Sequence, residues 1–222
     1  MLTQIYEVSS PDEGRALAAI GVDHIGAKVG AGEHPRELSV AQAAAIIAAI
    51  PPPSKFCALF LSSDVTRIAA WVRDLRPAIV HLGARPDALT PDDLRALKAR
   101  LPGCLMMRSI PVADAASVAL ACSYDGVADV LMLDSVRLSD SKIGALGITH
   151  DWSLSRQIVE AVTIPVFLAG GLGPDNVADA IRAVRPAGVD SKTLTDRDGS
   201  HDKDLGRVRR FHAAAKAALA GG

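Results

Sequence analysis

An alternation of short apolar runs with capped helical segments, repeated eight times, constrains this chain more than any other feature of it. The apolar runs fall at 2–6, 22–29, 56–61, 78–82, 104–109, 130–133, 166–169 and 188–191. Continuous apolar strands of this kind suit a parallel sheet covered on both faces. The segments between them open on helix-start signals. Ser10-Pro11-Asp12-Glu13 offers a Ser cap, a Pro at the first helical position and two acids in the first turn. Ser39 precedes a helix at 40–50, Ser63-Asp64 one at 65–75, and Thr90-Pro91-Asp92-Asp93 one at 94–101. Pro111 and Asp114 mark the start of the fifth, Asp151 the sixth and Gly173-Pro174-Asp175 the seventh, with Asp202 read as the cap of an eighth at 203–219. Eight units in 222 residues leave about 27 residues each, enough for a compact barrel without insertions. The expected class is therefore α/β, a single (β/α)8 TIM barrel spanning residues 1–222. A doubly wound open sheet would place a glycine-rich turn after its first strand. Here that turn is Glu7-Val8-Ser9-Ser10, and the glycines cluster late.

Hydrophobic residues make up 49% of the chain and charged residues 22%, which permits a large core and excludes a disordered or collagen-like class. With only two Trp, two Tyr and four Phe, that core must be built from Ala, Val, Leu and Ile. A net charge of −1 with no Lys/Arg run argues against nucleic acid or an anionic membrane as partner, but leaves small anions open. Cys57, Cys104 and Cys122 lie in apolar stretches without metal spacing, and are expected to be buried free thiols in a reducing compartment. The N-terminus shows no basic segment followed by an apolar one, and the longest apolar run, 41–50, is too short to span a bilayer. A cytoplasmic location is expected.

In such a barrel the active site lies in the loops after the strands. Gly170-Gly171 follows the seventh strand and precedes a helix start, where close backbone approach and free N–H donors favour a phosphate. Lys192 and Thr193, after the eighth strand, add a cation and a hydroxyl. Gly144 and Gly147 belong to the long loop after the sixth. Asp134 follows 130–133 without a break, and a carboxyl with apolar neighbours holds its proton strongly enough to act as a general acid. His81 and Arg108 also lie at strand ends, as anion ligands or as filling of the barrel mouth. His150-Asp151-Trp152 reads as a helix cap and staple, and nothing in the spacing supports a metal site.

At these residues the chain resembles the phosphoribosylanthranilate isomerase family, whose members carry out an Amadori rearrangement in tryptophan biosynthesis. The resemblance is strongest through 168–177, Ala180-Ile181 and 186–190, and continues at Gly199, Lys203-Asp204 and Phe211. Looser matches keep the order: Pro35-Arg36, Ser39, Val80, Leu82, Leu133-Asp134-Ser135, Gly144, Gly147 and Asp151-Trp152. The resemblance implies the same barrel, with Asp134 as the acid that opens the furanose ring. It also implies that Arg36 lies near the anthranilate end of the substrate, and that the loops after strands six, seven and eight hold the phosphate. No cofactor is implied.

The departures fall at the chemistry. The family's first strand reads Lys-Ile-Cys-Gly and its Cys is the general base, whereas this chain has Gln4-Ile5-Tyr6-Glu7. The family's Val-Gln-Leu-His-Gly in the fourth strand has become Val80-His81-Leu82-Gly83-Ala84, and its Ser-Ser-Gly after the eighth has become Lys192-Thr193-Leu194. Losing a general base costs about 10²–10⁴ in rate, so another group must substitute. The candidates are Glu7, His81 and Tyr6. Besides an Amadori-type isomerase, two further readings stay open. One is a phosphosugar isomerase, epimerase or lyase with another substrate, the lyase using Lys192 or Lys28. The other is a non-catalytic barrel that binds a phosphorylated metabolite. The expected partner is a small phosphorylated sugar or sugar amine, with a homodimer possible.

Overall fold

The computed structural model describes residues 1–137, 142–143 and 149–218. Along the chain run β1 (Leu2–Tyr6), α1 (Pro11–Ile20), β2 (His24–Lys28), α2 (Val40–Ala49), β3 (Lys55–Phe60), α3 (Val65–Leu75), β4 (Ile79–Leu82), α4 (Pro91–Arg100), β5 (Leu105–Val112) and α5 (Ala116–Ser123). They are followed by β6 (Val130–Arg137), β7 (Lys142–Ile143), α6 (Trp152–Ala161), β8 (Val166–Leu168), α7 (Val177–Val184), β9 (Gly188–Ser191) and α8 (Leu205–Ala217). Strands β1 to β6, then β8 and β9, pair in parallel, and β9 returns to β1 to close a (β/α)8 barrel. The two-residue β7, which the apolar pattern does not anticipate, lies antiparallel on the end of β6.

The local chemistry of the helix starts explains most of this layout. The Ser10 hydroxyl accepts from the Glu13 N–H, and Ser39 with Gln42 and Thr90 with Asp93 form reciprocal capping boxes. Asp64 accepts from Thr66 and Arg67, and Asp151 from Ser153. Each such cap contributes about 1 kcal/mol.

Three expected starts move. Pro111 is not a helix residue: β5 extends through it to pair with Asp134 of β6, and Asp114 then accepts from the Ala116 N–H. Gly173 to Asn176 form a turn, with Asn176 Oδ1 accepting from Gly173 N at 2.8 Å, so α7 starts at Val177. Asp204, not Asp202, caps α8, because the chain before it is held in an antiparallel bridge between Asp196 and Lys203. Leu219, the expected end of that helix, lies outside the described residues.

The core has two layers. Tyr6, Cys57, Ile79, Met107, Val130, Met132, Phe167 and Ala169 fill the barrel itself, and a larger aliphatic layer lies between strands and helices. Two glycines make room for the interior rings. A Cβ at Gly26 would lie 2.3 Å from the Tyr6 ring, and one at Gly188 2.4 Å from that of Phe167. Of the three cysteines only Cys57 is buried. Cys104 is half-buried and Cys122 lies exposed on α5, correcting the expectation that all three are interior. Among the described residues no helix is long and apolar enough to cross a membrane.

Candidate active site

Side chains alternate across a strand, so each barrel strand sends every second residue inward. At the C-terminal ends this parity selects Tyr6 on β1, Lys28 on β2, His81 on β4, Ser109 on β5, Asp134 on β6 and Asp190 on β9. All six line one cavity of about 620 Å³.

Glu7 reaches the same cavity by a different route. As the residue after inward-facing Tyr6 it would point outward in a continuing strand. Its φ of 65° turns the backbone and brings the carboxylate back into the mouth. There Oε1 lies 3.2 Å from Lys28 Nζ, and Oε2 contacts the Arg36 guanidinium and lies 3.6 Å from Lys192 Nζ. Burial alone would raise the carboxyl pKa, but Lys28, Lys192 and Arg36 together hold it below its ordinary value. Desolvation lowers the Lys28 pKa despite the Glu7 charge.

Asp134 sits in the opposite electrostatic situation. Burial dominates there, opposed among the described residues by the Ser135 N–H, which donates to Oδ1 at 2.8 Å. Burial therefore pushes its pKa up to about 7. Asp190 is also raised, first by burial and then by the nearby Asp134 charge, although Gln4 Nε2 donates to its Oδ1 at 3.2 Å.

Tyr6 and His81 belong to a buried polar chain. The Tyr6 hydroxyl lies 2.9 Å from Cys57 Sγ and 2.5 Å from His81 Nδ1, and His81 Nε2 lies 2.6 Å from Ser109 Oγ. Burial, followed by the charge of Arg108, lowers the His81 pKa to about 3. Burial raises the Tyr6 pKa well above 10.

The glycine loop between β8 and α7 has φ of 84° at Gly170 and 61° at Gly171, conformations that favour glycine. It is clamped from both ends: Asn176 Nδ2 donates to Gly171 O and Ser191 Oγ donates to Leu172 O. Lys192 lines the cavity, with its Nζ 2.7 Å from Asp196 Oδ2 and 2.9 Å from His201 Nδ1. Thr193 is exposed at the start of a short 3₁₀ turn and is not part of the cavity wall. Gly147, with Gly144, lies outside the described residues.

Arg108 faces away from the mouth. Because Ser109 points inward, its neighbour points into the helix layer, where Arg108 is fully buried and donates to Leu82 O at 2.7 Å. Its guanidinium lies 5.1 Å from the centre of the Tyr124 ring. Its place is structural, which corrects the expectation of an anion ligand. Ser109 and Asp190 share the inward parity of Asp134, a signal that strand-end polarity alone does not give. His150 makes contacts to Ser135 and Ser155 beside the Asp151 cap, as a helix-start residue. Among the described residues no cluster of His, Cys, Asp or Glu is arranged to hold a metal ion.

Fold and mouth together define a (β/α)8-barrel enzyme of the acid–base class. The chain belongs to the N-(5'-phosphoribosyl)anthranilate isomerase family, whose model matches residues 13–214. It is 36% identical to the N-(5'-phosphoribosyl)anthranilate isomerase of Methanocella arvoryzae over 94% of each chain. Its fold matches that of monomers generated from the dimeric phosphoribosylanthranilate isomerase of Thermotoga maritima, with a TM-score of 0.81 and 21% identity over 98% of this chain and 100% of the other. A phosphoribosylanthranilate isomerase solved with reduced 1-(o-carboxyphenylamino)-1-deoxyribulose 5-phosphate gives the same TM-score of 0.81 and 21% identity, covering 98% of this chain and 100% of that one.

Proposed function

We propose that this chain catalyses the Amadori rearrangement of N-(5'-phosphoribosyl)anthranilate, with Asp134 as general acid and Glu7 as general base. The observation that carries this reading is a pair of carboxyl groups in one cavity whose surroundings push their pKa values in opposite directions. Such separation assigns the acid and base roles. Asp134 gives its proton to the furanose ring oxygen as the C1–O bond opens and the anilino nitrogen forms the C=N bond. Glu7 takes the C2 proton, leaving an enolamine. Return of that proton to C1, with loss of the enol proton, gives the aminoketone.

Of the three candidates for the base, Glu7 alone is both ionised near neutrality and open to the cavity. The Tyr6 phenol is held protonated, and both His81 ring nitrogens are engaged. In this proposal the phosphate lies at Gly170 and Gly171, with Lys192 as its cation. Arg36, at the mouth beside Glu7, faces the substrate carboxylate. A homodimer belongs to the same proposal, and sedimentation equilibrium tests it.

The decisive experiment is turnover of freshly prepared N-(5'-phosphoribosyl)anthranilate, followed by loss of anthranilate fluorescence, in the native protein, Asp134→Asn and Glu7→Gln. Each variant is expected to lose about 10²–10⁴ in kcat. A native protein without turnover, or a Glu7→Gln variant as fast as the native one, would sink the respective assignment.

A further inference from the structure

The chain Cys57–Tyr6–His81–Ser109 crosses the barrel interior, where aliphatic side chains would serve packing at least as well. Burying polar groups costs free energy unless each is paired, and here each link is short. Cys57 lies behind the cavity wall, whereas Tyr6, His81 and Ser109 form part of it, with Ser109 at the end of the chain. On the adjacent strand it is level with Met132, one inward position below Asp134.

The order of the hydrogens follows from the donor strengths. A phenol is a good donor and a neutral imidazole nitrogen a good acceptor, and at 2.5 Å the Tyr6–His81 contact is the shortest of the three. The thiol, a weak partner, is left to donate to the Tyr6 oxygen. With Nδ1 accepting, neutral His81 carries its proton on Nε2 and donates to Ser109 Oγ. The Ser109 hydroxyl hydrogen then points to the cavity, polarised by every link behind it.

We propose that Ser109 is a substrate-binding residue that donates its hydrogen to an oxygen of the sugar chain next to the one protonated by Asp134, and that Cys57, Tyr6 and His81 position it. This rests on the reading of the site as one for a phosphorylated ribosylamine. The test measures Kd for reduced 1-(o-carboxyphenylamino)-1-deoxyribulose 5-phosphate and for inorganic phosphate, on the full chain.

Ser109→Ala is expected to weaken the analogue about tenfold, the loss of one good hydrogen bond, with phosphate binding unchanged. Ser109→Thr restores it. Tyr6→Phe weakens the analogue several-fold although Ser109 is intact. Without the phenol proton His81 can move its own proton to Nδ1, and Ser109 then donates to Nε2 instead. Unchanged analogue affinity in Ser109→Ala overturns the inference and leaves the proposed reaction standing. So does an equal loss of analogue and phosphate binding, which marks a general structural effect. A native protein that binds neither probe overturns both readings.

Discussion

Asp134 carries a conflict between stability and chemistry. Its pKa rises from an ordinary 3.8 to about 7 through burial, so ionising it in the folded protein is unfavourable. At about 1.4 kcal/mol per pKa unit, the folded state loses up to about 4 kcal/mol from this group between pH 4 and pH 8. The direction follows from proton binding. Between those limits the folded chain holds a proton that the unfolded chain has released, so stability falls as pH rises through about 7. Asp134→Asn is therefore expected to be more stable than the native protein at pH 8, with a smaller advantage at pH 5. Urea unfolding at both pH values reads this directly, and a variant less stable at pH 8 would refute the burial argument. On the proposed assignment of Asp134 as the acid, the same proton governs rate, and kcat/KM should decline above about pH 7. On the same assignment Glu7 should set the acid limb below its ordinary 4.5, since cations hold its pKa down. A bell-shaped profile whose alkaline limb lies two units from 7 would exclude Asp134 as the acid.

The loops after the strands convert this barrel into a site, and the loop after β8 depends most directly on backbone geometry. At Gly170 a side chain meets two obstacles. The φ of 84° is unfavourable for any L-residue by roughly 1–2 kcal/mol. A Cβ would also lie 2.2 Å from Ser135 Oγ and 3.1 Å from Ser135 N, pressing on the strand end that carries Asp134. Gly170→Ala should cost at least about 2 kcal/mol in urea unfolding and weaken inorganic phosphate as a competitor of turnover. Loss of stability with phosphate inhibition intact would separate this loop from the anion.

Much of the element order is legible in the sequence because its causes are local. Apolar runs of five or six residues and caps such as Ser10, Ser39, Asp64 and Thr90 act within one turn or strand. What is not legible depends on partners distant in sequence. Pro111 reads as a helix signal until its pairing with Asp134 is known, and Asp202 reads as a cap until the Asp196–Lys203 bridge displaces the helix start to Asp204. Asp134 is legible because it follows an unbroken apolar run. Arg108 has an equivalent place at its strand end, and only the register that turns Ser109 inward assigns it to the helix layer. The role of Glu7 was open because a positive φ at a glutamate has no signature in sequence.

At the scale of the whole molecule, buried titratable groups of both kinds set a stability optimum. His24 and His150 are held neutral by burial with pKa values of about 4, and His81 with about 3. In the unfolded chain each binds a proton below about pH 6.5, which the folded chain refuses. These three therefore withdraw stability as pH falls through 6.5. Asp134 and Asp190 work the other way, holding protons in the folded chain that the unfolded chain releases above about pH 4. They withdraw stability as pH rises. Carboxylates with lowered pKa, such as Glu7 and Asp23, contribute to this slope only in more acidic solution. The two groups balance where the folded and unfolded chains bind equal numbers of protons, between the ordinary carboxylate and histidine ranges. Unfolding free energy measured from pH 4.5 to pH 8.5 should pass through a maximum there and decline on both sides. Asp134→Asn removes part of the alkaline decline and should move the maximum to higher pH. A native protein whose stability is flat from pH 5 to pH 8 would show that these groups reach water more freely than the barrel interior allows.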